Sequence, residues 1–414
     1  MLLIHKKIHP KIKKESIVFI LCWIAYASIY FGRINLSVAA SDIQSFLGIN
    51  KAQIGLLGTV FFWIYATGQL INGNLGDRFA GYKMIFLGLL VTGTSNILFG
   101  SSSGFIPLLV IWTVNGYAQS MLWGPMVRTL SDWYPENMKS KISVGISTSM
   151  TVGYLLAWGL SGRLTATAGW RPAFIVPGIF IFLYSFIWLL KTRKLHTAKI
   201  INVNESSDNP SFQNSYNKIT MIDLLIGKRL WLIACVCMTQ GIIKESISMW
   251  GPIFIMERNN IDISALPSII IIIPLINFLG LLLAGHINKL LHNKEKITIL
   301  IMYLICTLMI VILAIAKNMT LLLSVIITGG ISASMFGANS MLLGVIPMNY
   351  TKYHRSSSAA GFLDFCSYVA AGVSSTVVGL LASSTGWSTV INFWLVTVII
   401  GILLTAFSYK YTKS

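Results

Sequence analysis

Twelve apolar stretches, each long enough to cross a lipid bilayer, follow one another through 414 residues. They fall near residues 16–40, 52–75, 83–101, 105–128, 142–161, 170–190, 230–256, 264–288, 297–316, 319–346, 356–383 and 387–409. A helix of about 20 residues spans the hydrocarbon. In lipid the backbone must satisfy its own hydrogen bonds, which leaves helices or closed barrels. The period-two alternation of barrel strands is absent, and only 11% of residues are charged. The sequence therefore predicts an all-α membrane protein with 12 transmembrane helices.

The net charge of +18 reflects topology. Of 31 Lys and Arg, 24 fall in the termini and the even-numbered loops, and only Lys51, Arg163, Arg171, Arg258 and Lys317 fall in the odd ones. By the positive-inside rule both termini are expected to be cytoplasmic. A nucleic-acid partner is therefore not expected. The five cysteines all sit in apolar runs with no metal-ligand spacing, so free buried thiols are expected, and no metal or cofactor. The basic N-terminus before span 1 reads as an uncleaved first helix, because the apolar run outlasts a signal-peptide core.

The long polar segment 192–228 has the composition of a flexible linker. It divides the chain into six-span units, 1–191 and 229–414. The units echo each other. Gln119-Ser-Met-Leu-Trp-Gly124 matches Asn339-Ser-Met-Leu-Leu-Gly344, and Ala168-Gly-Trp170 matches Thr385-Gly-Trp387. Two bundles in parallel orientation, with a substrate site between them, is the arrangement this pattern implies.

Two cations lie inside apolar runs at equivalent places: Arg33 in span 1 and Lys244 in span 7. An unpaired cation at the bilayer centre costs about 2.5–3.5 kcal/mol or more, so it marks a buried site. Tyr26, Tyr30 and Arg33 follow i, i+4, i+7 spacing and share a helix face, as do Tyr65 and Gln69 in span 2. Phenols ending in a guanidinium make a poor lipid face and a good wall for an oxyanion. Arg matches phosphate or carboxylate bidentately, and Lys adds a point charge. Structural ion pairing is the competing reading for both. Glu245 beside Lys244, and Asp364 in span 11, are the available partners and the candidate coupling groups.

Between spans 2 and 3 stands Gly73-Asn-Leu-Gly76-Asp77-Arg78-Phe-Ala-Gly81-Tyr-Lys83. Asp77 and Arg78 are expected to make charge-assisted contacts across helix ends that form in one conformation and break in another. Arg128, ending span 4, is expected to act as a gate or a topological residue. This loop, the twelve spans and the repeat together resemble the major facilitator superfamily. The resemblance covers the whole chain and implies two six-helix bundles about a central cavity, with rocker-switch transport.

Within it, Tyr26-x3-Tyr30-x2-Arg33-x-Asn35, Asn115-Gly-x2-Gln119-Ser-Met-x-Trp123-x-Pro125 and Ser358-Ala-Ala-Gly361…Tyr368…Gly386-Trp387 resemble the organophosphate:phosphate antiporters. The resemblance implies a phosphate clamp at Arg33 and Lys244, lined by Tyr26, Tyr30, Tyr65, Trp123 and Tyr368. Three positions depart from it. Lys244 stands in place of an arginine, Gln69 in place of a lysine, and Ser149 in place of a histidine. All three are retained as candidate substrate contacts in a less cationic site.

The function implied is secondary transport of a small organic anion, a phosphorylated metabolite exchanged for inorganic phosphate. Two rivals stay open. Gly32-Arg33-Ile-Asn35-Leu-Ser-Val-Ala-Ala40 also resembles the anion:cation symporters of hexuronates and other carboxylates, for which Glu245 or Asp364 would couple ions. A non-transporting membrane sensor of a phosphate ester is the other. No catalytic cluster of His, Cys or carboxylates stands at the membrane surface, so an enzyme is not expected. The expected setting is a bacterial inner (plasma) membrane, with a multi-pass monomer in the lipid bilayer.

Overall fold

The computed structural model describes residues 14–49, 51–205, 220–259, 272–316 and 319–410. Helices α1 (Lys14–Leu47), α2 (Lys51–Arg78) and α3 (Gly81–Ser101) open the first half. Next come α4, in two pieces (Phe105–Ser120 and Trp123–Trp133), and α5, in two pieces (Lys139–Leu156 and Gly162–Ala168) joined by a π-turn at Ala157–Ser161. Helix α6 (Pro172–Glu205) closes the half. The second half holds α7 (Leu230–Asn259), α8 (Ile272–Leu290) and α9 (Glu295–Ile315). It continues with α10 (Leu321–Asn339, a π-turn at Ser340–Val345, then Ile346–Met348), α11 (Ser356–Ser384) and α12 (Trp387–Lys410).

Eleven helices among the described residues are long and apolar enough to cross a membrane. Helix α5 supplies the twelfth crossing, with Ser140, Ser143, Ser147, Ser149 and Thr151 buried along it. It is the span expected at 142–161, and its serines and threonine pack in the interior between the halves. The expected start of span 8 at 264 lies outside the described residues, as do residues 206–219 of the expected linker. Helix α6 itself continues to Glu205, past the expected linker start at Thr192.

The internal repeat extends to backbone geometry. Gly169 and Gly386 both adopt left-handed φ, +80° and +82°, each just before a tryptophan, Trp170 two residues ahead of α6 and Trp387 as the first residue of α12. A side chain there would be strained, so glycine is what lets each half make this turn. The other echoed pair marks irregular helix in both halves. Helix α4 breaks at Met121–Leu122, where Pro125 has no N–H for the Met121 carbonyl, and α10 widens into its π-turn ahead of Pro347.

Hydrogen bonds join the halves at the end that carries the basic loops. Asp77, near the end of α2, accepts from the backbone amides of Ser357 (3.0 Å) and Ser358 (2.8 Å) at the start of α11, and from the Ser358 hydroxyl. The carboxylate thus answers the exposed amides and positive end of a helix dipole. Arg78 is exposed and takes no part in these bonds. Arg128 holds the end of α2, donating to the Gly76 carbonyl at 2.6 Å and lying 3.8 Å from Asp132. Opposite, buried Lys139 donates to the Met348 carbonyl at 2.9 Å, and Asn288 to Ser140 at 2.7 Å. Glycine allows the contact of α2, α4 and α11. A Cβ on Gly73 would lie 2.9 Å from both Gly361 Cα and the Ser357 carbonyl oxygen.

Candidate substrate-binding site

Midway along the bundle, α1 delivers Arg33 into the interior, with 6% of the residue exposed. Its Nε donates to Gln119 Oε1 at 2.8 Å, and its Nη1 to the Tyr368 hydroxyl at 3.4 Å. The guanidinium lies over the rings of Tyr65 (4.3 Å), Tyr30 (4.9 Å) and Phe61 (5.3 Å). Such cation–π contacts contribute about 0.5–2 kcal/mol each, less than a buried guanidinium loses on leaving water. No carboxylate forms an ion pair with it among the described residues, and its buried Nη2 has no hydrogen-bond partner.

Amides support the arginine from behind. Gln119 Nε2 donates to Asn115 Oδ1 (3.3 Å), Asn96 Nδ2 donates to the Gly32 carbonyl (3.1 Å), and Asn35 Nδ2 donates to Asn96 Oδ1 (2.9 Å). The network ties α1, α3 and α4 together and fixes the direction of the fork.

Lys244 comes from α7, is 3% exposed and pairs with Glu245 at 3.0 Å. Neighbouring helical residues diverge by about 100° around the axis, so this pair depends on the length of both side chains. The ammonium also lies over Tyr368 (5.5 Å) and Phe336 (5.6 Å). Asp364 is buried and accepts from the Tyr65 hydroxyl at 3.5 Å, while Gln69 donates to that hydroxyl at 2.6 Å. The two carboxylates thus divide, Glu245 to the lysine and Asp364 to a phenol.

Most of the residues read from sequence gather here. Tyr26 stacks on Trp123 at 4.8 Å and meets Tyr30 edge-on at 5.3 Å, and Tyr65 meets Tyr368 at 5.0 Å. Ser149 is buried but donates back to its own helix, to the Ile146 carbonyl at 2.5 Å. Sequence reasoning missed Gln119 as a partner of Arg33, and Phe61, Phe336 and Tyr154 as walls. Tyr154 lies 5.5 Å from Tyr30. Phe61 was within reach, since Phe61, Tyr65 and Gln69 repeat every four residues on one face.

Twelve crossing helices around a buried cation from each half define a polytopic membrane transporter rather than an enzyme. The chain belongs to the Major Facilitator Superfamily, whose family model matches residues 22–375. It is 24% identical over 405 residues to a probable hexose phosphate transport protein of Chlamydia muridarum, covering 89% of this chain and 85% of that one. It is also 24% identical over 292 residues to the membrane sensor protein UhpC of Salmonella typhimurium, covering 67% of this chain and 65% of that protein. Its fold is that of the superfamily transporter FucP in the outward conformation. That match has a TM-score of 0.74 at 13% identity, over 96% of this chain and 99% of the other.

Proposed function

We propose that this chain is a secondary transporter of a phosphorylated sugar or similar small organic phosphate, exchanged for inorganic phosphate by alternating access of its two halves. The observation that carries the reading is the state of Arg33. It is a buried guanidinium with no paired carboxylate and an unpartnered Nη2, and it shares Tyr368 with Lys244 of the other half. A buried charge with no carboxylate bonded directly to it is costly, and a substrate anion lowers that cost. Phosphate presents oxygens to an arginine fork and a lysine together. The relative named as a hexose phosphate transport protein supports the phosphorylated substrate.

Asp77, with Arg128 bracing its helix, serves in this reading as the latch of the state closed at the basic-loop end, which is the cytoplasmic end. Arg78 and Lys83 supply positive charge at that mouth. The units 1–191 and 229–414 are the moving bodies, 192–228 is the linker between them, and a monomer in a bacterial inner membrane is the working form. Net binding must be modest, because a carrier that favours one state too strongly cannot turn over.

The test is uptake of radiolabelled inorganic phosphate into proteoliposomes preloaded with phosphate. Exchange that is abolished by Arg33→Ala supports the proposal. Uptake only of a carboxylate under a proton or sodium gradient sinks it in favour of symport through Glu245 or Asp364. The similarity to UhpC favours a second reading, a sensor of a phosphate ester, for which ligand binding without translocation is the distinguishing result.

A further inference from the structure

Helix α10 carries a buried amide whose oxygen has nothing to bond. Asn339 is 5% exposed, and its Oδ1 has no partner. The repeat defines its position. Gln119 and Asn339 stand in equivalent places of the two halves, as Arg33 and Lys244 do. In the first half the amide reaches its cation, Gln119 Oε1 accepting from Arg33. In the second half the amide is one methylene shorter, and the lysine turns to Glu245.

Two contacts fix the register of α10 against α7. Lys244 lies over Phe336, three residues before Asn339 and on the same face. One turn before Lys244, Gln240 Nε2 donates at 3.2 Å to the carbonyl of Met335. The helices run antiparallel, so Asn339, one turn further along α10, sits beside the stretch of α7 that leads into Gln240, on the basic-loop side of Lys244. Towards the other end of the bundle, Thr328 and Ser332 extend the same face, each with a buried hydroxyl that has no partner.

We infer that Asn339 is the contact for the organic part of the substrate, accepting a hydrogen bond from a hydroxyl of a sugar or polyol whose phosphate lies at Arg33 and Lys244. The inference rests on the organic-phosphate reading above. An amide oxygen only accepts, and the dianionic phosphate group of a monoester also only accepts, so that group of the substrate does not satisfy it. A hydroxyl does. The second half would thereby read the cargo as well as share its charge, while the amide of the first half is already taken by Arg33.

The experiment compares two competitors of radiolabelled phosphate exchange in proteoliposomes: a hexose 6-phosphate, rich in hydroxyls, and ethyl phosphate, which has none. In Asn339→Leu, nearly isosteric, the half-inhibitory concentration of the hexose phosphate should rise about tenfold relative to that of ethyl phosphate, the effect of one lost hydrogen bond. Asn339→Ser, a smaller change, should move the ratio in the same direction. Ligand-induced thermal stabilisation of purified protein reads the same ratio if a variant exchanges too slowly. Exchange with an unmoved ratio in both variants overturns the role of Asn339 alone. A wild-type protein with no phosphate exchange overturns the organic-phosphate reading and this inference with it.

Discussion

Tyr368 and Arg33 meet across the boundary between the two halves, the guanidinium Nη1 donating to the phenol oxygen at 3.4 Å. The same ring lies 5.5 Å from the Lys244 ammonium. A phenol thus links the two cations that a shared anion must reach. Removing the hydroxyl while keeping the ring separates its two roles. The bond is long, so Tyr368→Phe should weaken phosphate competition only about two- to fivefold, whereas Tyr368→Ala, which also removes the ring from both cations, should cost about tenfold or more. Equal losses in the two variants would mean that the hydroxyl carries the whole effect.

Arg33 and Lys244 should not tolerate exchange equally. The Arg33 Nε is bound to Gln119, which sets the plane of the fork, and lysine has no counterpart to that donor. Lys244 is a point charge already shared with Glu245, and arginine at that position keeps the charge and adds donors. Arg33→Lys should therefore reduce transport about tenfold to a hundredfold, since a hydrogen bond to a charged group contributes about 1.5–3 kcal/mol. Lys244→Arg should have a smaller effect. Initial rates of uptake in proteoliposomes rank the two, and the reverse order would move the anion fork to α7.

Asp77 holds the first turn of α11 through two backbone amides and the Ser358 hydroxyl. These bonds exist only while the basic-loop ends of the halves are together, so their loss should shift the population towards the opposite state. For Asp77→Ala the shift should be about tenfold or more, on the scale of a charge-assisted bond. Ser358→Ala removes only the hydroxyl and should shift it less. Distances between spin labels at the ends of α2 and α11 report the populations, and an unchanged distribution in Asp77→Ala would show that the latch lies elsewhere.

The fold was legible because lipid leaves few choices. Apolar length, the side bias of Lys and Arg, and the echo of Gln119–Gly124 in Asn339–Gly344 suffice for twelve helices in two related halves. The first wall of the site was legible too, because Tyr26, Tyr30 and Arg33 lie on one helix, where spacing determines which side chains share a face. What spacing within one helix cannot give is the pairing of residues between helices. The bond of Gln119 to Arg33 joins positions 86 apart, and that of Tyr65 to Asp364 joins positions 299 apart. The choice of Glu245 rather than Asp364 for Lys244 was hidden for the same reason. Ser149 shows the opposite limit. Its position falls where the family pattern has a histidine, but its hydroxyl is engaged with its own helix.

Gly73 offers the sharpest test of how the halves close. The α2–α11 contact is backbone against backbone, and a Cβ on Gly73 would come within 2.9 Å of Gly361 Cα and of the Ser357 carbonyl oxygen. Real Cβ atoms do not approach backbone so closely, and main-chain atoms cannot move aside as a flexible side chain can. Gly73→Val should therefore separate α2 from α11 at the basic-loop end and weaken the Asp77 bonds one turn further on. The fold of each half should survive, since the collision is between halves and not within either. Transport should fall by about tenfold or more, and a cysteine placed at Ser357 should label faster with a membrane-impermeant thiol reagent from the basic-loop side, as overpacking of about 1–3 kcal/mol drives the ends apart. Unchanged labelling with full transport would show that closure does not require this glycine contact.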